Sequence, residues 1–102
     1  MIKHIVIWQL QNNAKKIENA RKIKQILESL QGKIDGLIKI EVGLSMLADQ
    51  ATLGDICLYS EFTNQQALEA YQLHPLHVAA KEFIQQHVSA RSVVDFVANS
   101  PL

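Results

Sequence analysis

The chain has 102 residues, 48% of them hydrophobic, with ten basic and ten acidic residues balancing to a formal net charge of zero. That length implies one domain over residues 1–102, and that apolar fraction implies a folded globule rather than a disordered chain. Zero net charge removes the electrostatic term that nucleic-acid binding leans on, and no run of like charges marks an interaction tail.

Ile2 to Leu10 is rich in β-branched residues and reads as a first strand. Its apolar core, Ile5-Val6-Ile7-Trp8, is short, and no small-residue cleavage site follows. It reads as neither a signal peptide nor a membrane span, so the expected location is the cytoplasm. Asn12-Asn13 breaks the strand, and a helix is predicted over about Ala14 to Gln31, with Ala20, Ile23, Ile26, Leu27 and Leu30 on one face. Gly32 and Gly36 frame its exit. Leu37 to Leu44 reads as a second strand, and a loop is expected around Asp49 to Gly54. Asp55 to Phe62 reads as a third strand, and its Cys57, the one cysteine of the chain, reads as a buried thiol that can form no internal disulfide.

Thr63 and Gln66 have the spacing of a capping box, so a helix is expected from there to about Leu73. Pro75 must interrupt it, because proline lacks an N–H and biases the preceding His74 away from the α region. A last helix is expected over Leu76 to Gln86, with Leu76, Ala80, Phe83 and Ile84 on one face, and a last strand over Ser92 to Val97. The order β-α-β-β-α-β is that of an α+β, ferredoxin-like fold with helices on one face of the sheet. Strand 1 sets His4, Val6, Trp8 and Leu10 on one side and Ile5 and Ile7 on the other, and strand 4 sets Val93 and Val97 against Val94 and Phe96. Strands apolar on both sides need a cover on both sides. With no helix left to supply it, a second copy of the chain is expected there, forming a homodimer.

The stretch Tyr71-Gln72-Leu73-His74-Pro75-Leu76-His77 gathers two histidines and a tyrosine at a chain bend. Imidazole changes protonation near neutral pH without special tuning, so a proton-handling pocket is one expectation. Each residue also has a structural reading. His4 and His77 can be satisfied by one local hydrogen bond, Tyr71 can be a core aromatic, and His74 can face solvent. His87 at a helix end needs no role beyond the helix dipole. No metal site is expected, since no carboxylate or cysteine accompanies His74 and His77 at ligand spacing. No glycine-rich phosphate loop, Cys-x-x-Cys or serine nucleophile elbow occurs.

The opening Ile2-Lys3-His4-Ile5-Val6-Ile7, the segment from Ile34-Asp35-Gly36 to Glu41-Val42-Gly43, Asp55, Tyr71-x-x-His74-Pro75-x-His77 and Val94-Asp95-Phe96 together resemble the stress-responsive A/B barrel (Dabb) domain. The resemblance covers nearly the whole chain in order, with Asp35 standing where the family pattern usually has proline. It implies a dimeric α/β barrel, in which two four-stranded sheets face each other with helices outside, and it implies no single activity. One plant branch is similar in fold and acts as a cofactor-free polyketide cyclase. Its strand-1 histidine, helix tyrosine and second histidine of His-Pro-x-His work in the pocket, and these match His4, Tyr71 and His77. What the resemblance implies for this chain is a homodimer holding a small apolar molecule between sheet and helices, with no cofactor and no established catalysis. Val6, Trp8, Leu68, His74 and Ala80 are expected to line that pocket, and Trp8 is bulky enough to narrow or close it. The alternatives are a cofactor-independent cyclase using His/Tyr acid–base chemistry and, by fold analogy, a cofactor-free oxygenase.

Overall fold

The computed structural model describes residues 1–46 and 54–99. Along the chain run β1 (Ile2–Leu10), α1 (Lys16–Glu28), β2 (Leu37–Leu44), β3 (Ile56–Phe62), α2 (Gln65–Leu73), α3 (Pro75–Gln85) and β4 (Val88–Val97). The strands form one antiparallel sheet in the order β2-β3-β1-β4. This is the ferredoxin-like α+β arrangement read from the sequence, with the second helical segment divided at Pro75. The predicted loop before strand 3 lies outside the described residues except at Gly54.

Alternation along the strands decides what is buried. In β1, His4, Val6, Trp8 and Leu10 are buried against the helices. Their partners Ser60, Leu58 and Ile56 in β3 are equally buried, because paired residues share a face. Ile23 and Leu27 from α1, Leu30 in the turn after it, Leu68 and Tyr71 from α2, and Ala80 and Ile84 from α3 close the core. The predicted periodicity of α1 therefore holds, although the helix is shorter than 14–31. After Glu28 the chain tightens, with Leu30 N–H bonding Leu27 and Gln31 N–H bonding Glu28. Gly32, at φ +81°, then turns it out of the helix. Gly36 has a steric reason as well: it lies under α2, where an added side chain would come within 2.5 Å of Ala67 Cβ.

Several expectations need correction. The N-cap of α2 is Asn64, whose Oδ1 accepts from Ala67 N at 2.8 Å. Thr63 instead donates its amide to Gly36 O at 3.0 Å, joining the end of β3 to the start of β2. β4 starts at Val88, four residues before the predicted Ser92, because pairing with β1 carries Ala90 and Arg91 into the ladder despite their weak strand preference. In α3 the inward residue of the first turn is His77, three residues before Ala80 and seven before Ile84, while Leu76 is 42% exposed. Cys57 is exposed, since it alternates with buried Ile56 and Leu58 and so falls on the face away from the helices.

That outer face is strongly apolar. Ile5 and Ile7 of β1 stand beside Tyr59 and Cys57 of β3 and Val94 and Ser92 of β4. Val94 is 61% exposed and Phe96 44% exposed in the single chain. No helix of the described residues is long and apolar enough to cross a membrane.

Candidate functional site

Pro75 sets the geometry of the site. It occupies the first position of α3, where a missing N–H removes no helical bond. His74 before it is extended, with φ −66° and ψ 135°, and both ends α2 and caps α3. Its Nδ1 accepts from Leu76 N at 3.1 Å. The break is real, and it aims the next histidine at the sheet. The His77 ring packs on Tyr71 with centroids 4.2 Å apart and planes at 42°. Tyr71 in turn packs on Phe62 at 4.9 Å and faces the edge of His4 at 6.3 Å. The structure thus brings together His4 from β1, Tyr71 from α2 and His77 from α3.

These three side chains border a partly open chamber of about 540 Å³ between the sheet and the helices. Val6, Trp8, Leu27, Leu58, Ile84 and Val88 give it apolar walls. Trp8 is only 6% exposed and forms one wall without closing the space. Of the residues expected to line it, Val6 and Trp8 do so, whereas Leu68, His74 and Ala80 do not. Leu68 and Ala80 are buried in the core behind it. The His74 ring is turned to its own backbone as a cap.

Each polar group has a distinct state. His4 is buried, and its Nδ1 hydrogen-bonds the carboxylate of Asp95, the residue directly opposite it on β4. Nδ1 donates this bond, which leaves the other ring nitrogen, Nε2, outside it. Ser60 Oγ donates to the His4 carbonyl at 3.0 Å and fixes the backbone below it. Burial holds the His77 imidazole below its ordinary value of 6.5, and the neighbouring charges of Lys81, His4 and Arg91 push the same way, against a contact with the Gln72 carbonyl. That contact, 3.3 Å from Nδ1, favours the proton on Nδ1 and leaves Nε2 basic. Burial raises the Tyr71 hydroxyl above its usual 10.0, so it remains a protonated donor. It is also the one buried side-chain polar atom with no hydrogen-bond partner among the described residues. An unpaired buried hydroxyl costs about 1–3 kcal/mol.

Sequence reasoning missed Asp95, Lys81 and Arg91. Asp95 had a signal: a carboxylate within Val93-Val94-Asp95-Phe96 needs a partner. Which partner it takes depends on the β1–β4 register, which periodicity does not carry. Among the described residues, no group of three or more His, Cys, Asp or Glu side chains could hold a metal ion.

The family model described as Stress Responsive A/B Barrel Domain matches residues 2–98. The chain belongs to this family. A dimeric protein of unknown function with a ferredoxin-like fold from Bacteroides fragilis is 36% identical, with 93% of each chain covered and a TM-score of 0.83. A dimeric ferredoxin-like protein of unknown function from Jannaschia is 22% identical over 95% of this chain and 98% of that one, with a TM-score of 0.80. A Dabb family protein with a ferredoxin-like fold from Mesorhizobium loti is 24% identical over 99% and 96% of the two chains, with a TM-score of 0.72. A search of the curated proteins finds no match.

Proposed function

We propose that this A/B barrel domain binds a small, largely apolar molecule in the chamber between its sheet and helices, and that it does so as a homodimer. The chamber carries the first part of the reading. Its volume falls in the range of about 300–1,000 Å³ usual for small-molecule sites, and it joins apolar walls to a few convergent polar groups. Tyr71, whose hydroxyl has no hydrogen-bond partner among the described residues, is one of those polar groups. The dimer is supported by the apolar outer face and by relatives described as dimeric. Trp8, the one tryptophan, lines the chamber and reports its occupancy by fluorescence. Titration with 1-octanol, a neutral apolar probe, is expected to shift Trp8 emission saturably. Val88→Phe, which fills the chamber from its wall, is expected to weaken that response about tenfold, the loss of roughly 1.4 kcal/mol. A response that does not saturate, or that survives Val88→Phe unchanged, removes this reading.

Proton transfer is a second reading, favoured by the contrast between the two central groups. A neutral His77 can take a proton from a carbon flanked by carbonyls, and the Tyr71 hydroxyl can donate a hydrogen bond to the enolate oxygen that results. The His77 imidazolium exchanges its proton with solvent and then reprotonates the carbon, which returns the base. This chemistry incorporates solvent deuterium into a β-diketone, visible by NMR. His77→Ala is expected to slow it by about 10²-fold or more, the usual contribution of a positioned base. Equal exchange rates in the two proteins would exclude His77 as that base.

A further inference from the structure

The Lys, Arg, Asp and Glu side chains that line the chamber are all of one sign. Lys81 of α3 and Arg91 of β4 both border it, and no Asp or Glu does among the described residues. Lys81 follows His77 by four residues, which places the two on one helical face. Arg91 stands opposite Trp8 in the β1–β4 register, on the strand face that looks toward the helices. The ion pairs of the described residues are His4–Asp95, Lys16–Asp55, Lys22–Glu18, Lys24–Glu28 and Lys39–Glu41, so neither cation is taken up by a carboxylate. Asp95 shares the Arg91 face of β4, but His4 engages it. Both cations also lie close enough to His77 to act on it electrostatically.

We infer that the ligand is an amphiphilic carboxylate, its apolar body against Trp8, Leu27 and Leu58 and its anionic head between Lys81 and Arg91. The inference rests on the chamber-binding reading above and adds the class of molecule. Arginine accepts a carboxylate through two parallel N–H donors and lysine through a point charge, so together they fix its head without a metal. Charge-assisted hydrogen bonds exceed neutral ones by enough to favour the anion about tenfold.

The test compares octanoate with 1-octanol, which share a chain length and differ in the head group, using Trp8 emission. Octanoate is expected to bind the unaltered protein about tenfold tighter, a preference that 1 M salt should reduce without weakening octanol. Lys81→Met and Arg91→Met are each expected to lower the ratio of octanoate to octanol affinity, and the double substitution should erase the preference. Both side chains are exposed, so the fold should survive, which thermal melts would verify. Equal binding of octanol and octanoate overturns the charge assignment and leaves the chamber reading standing. Binding of neither overturns both. A preference that outlasts the double substitution overturns the assignment to these two residues.

Discussion

Two residues before His77, Pro75 supplies the break that keeps α2 and α3 from running on as one helix, and its fixed φ starts the new helix in a defined direction. His77 then enters the core side of α3 and is partly desolvated, which disfavours its charged form. The consequence for stability has a definite sign. The unfolded chain binds a proton at His77 near its ordinary value of 6.5, whereas the folded chain resists until lower pH. Between those two values the unfolded state holds more protons, so stability falls as pH drops through that window. Urea unfolding of the native protein and of His77→Gln at pH 7.5, 6.5 and 5.5 should show their difference shifting against the native protein as pH falls. A difference independent of pH would contradict the burial argument. At this scale the sequence was informative wherever spacing within one element governs: Tyr71 and His77 follow from a bend in adjacent helices, and His4 and Trp8 from alternation within one strand. Arg91 and Asp95 enter the picture only through pairing between strands about ninety residues apart in sequence, where single-chain periodicity has nothing to say.

Among the elements, β2 is an edge strand, and edges left bare invite pairing with other chains. Here α1 and the turn after it cover that edge with side chains. Glu28 Oε2 accepts from Val42 N at 3.0 Å and from Lys24 Nζ at 2.9 Å. Lys24 Nζ also donates to the Val42 carbonyl. Gln31 Oε1 accepts from Ile40 N at 2.9 Å, and its Nε2 donates to the Ile38 carbonyl at 3.0 Å. The Val42 amide, and after it the Lys24 ammonium, hold the Glu28 carboxyl below the usual carboxylate range. Removing both anchors by Glu28→Ala with Gln31→Ala takes away four such bonds and should cost about 1–3 kcal/mol, the low end of about 0.5–1.5 kcal/mol for each, because they are partly solvated. It should also raise light scattering at high protein concentration. Unchanged urea midpoints and unchanged scattering would show that water replaces these contacts freely. None of this was legible in the sequence, because Lys24, Glu28 and Gln31 look like an ordinary solvated helix face. The order of elements was legible, since alternation and helical spacing switch cleanly along the chain. The Asn64 cap was not, because Thr63 and Asn64 are both good cap formers and only the bond from Thr63 to Gly36 decides between them.

For the whole molecule, the same alternation that builds the chamber also builds an exposed apolar sheet face. Ile5, Ile7, Val94 and Phe96 share it with Tyr59 and Cys57; among the described residues Val94, Phe96 and Cys57 are exposed and Ile5, Ile7 and Tyr59 half-buried. The apolar character of both sides of β1 and β4 was readable in the sequence. What could not be read was where the polar residues interrupt it: Lys3, Lys39, Glu41 and Glu61 lie on the same outer face, toward the ends of β1 and β3 and along β2. They leave the apolar surface concentrated on β1 and β4, rimmed by charge, which is the anatomy of a protein interface. A partner sheet laid there would bury Val94 and Phe96 first, since they are the most exposed large residues of the face. We therefore expect sedimentation equilibrium at micromolar concentration to give twice the chain mass, and the melting temperature to rise with protein concentration as mass action requires. Val94→Asp places a charge at the centre of that face, on a side chain the single chain leaves exposed, so it has little reason to disturb the isolated fold. It should halve the sedimenting mass and lower the melting temperature together, because the interface and the chain's stability are coupled. A folded native monomer with a concentration-independent melting temperature would refute the dimer. The octanol response of Val94→Asp then separates the two halves of the proposal: retained binding in a monomeric variant would place the whole chamber within one chain, where β1, α2, α3 and β4 already enclose it.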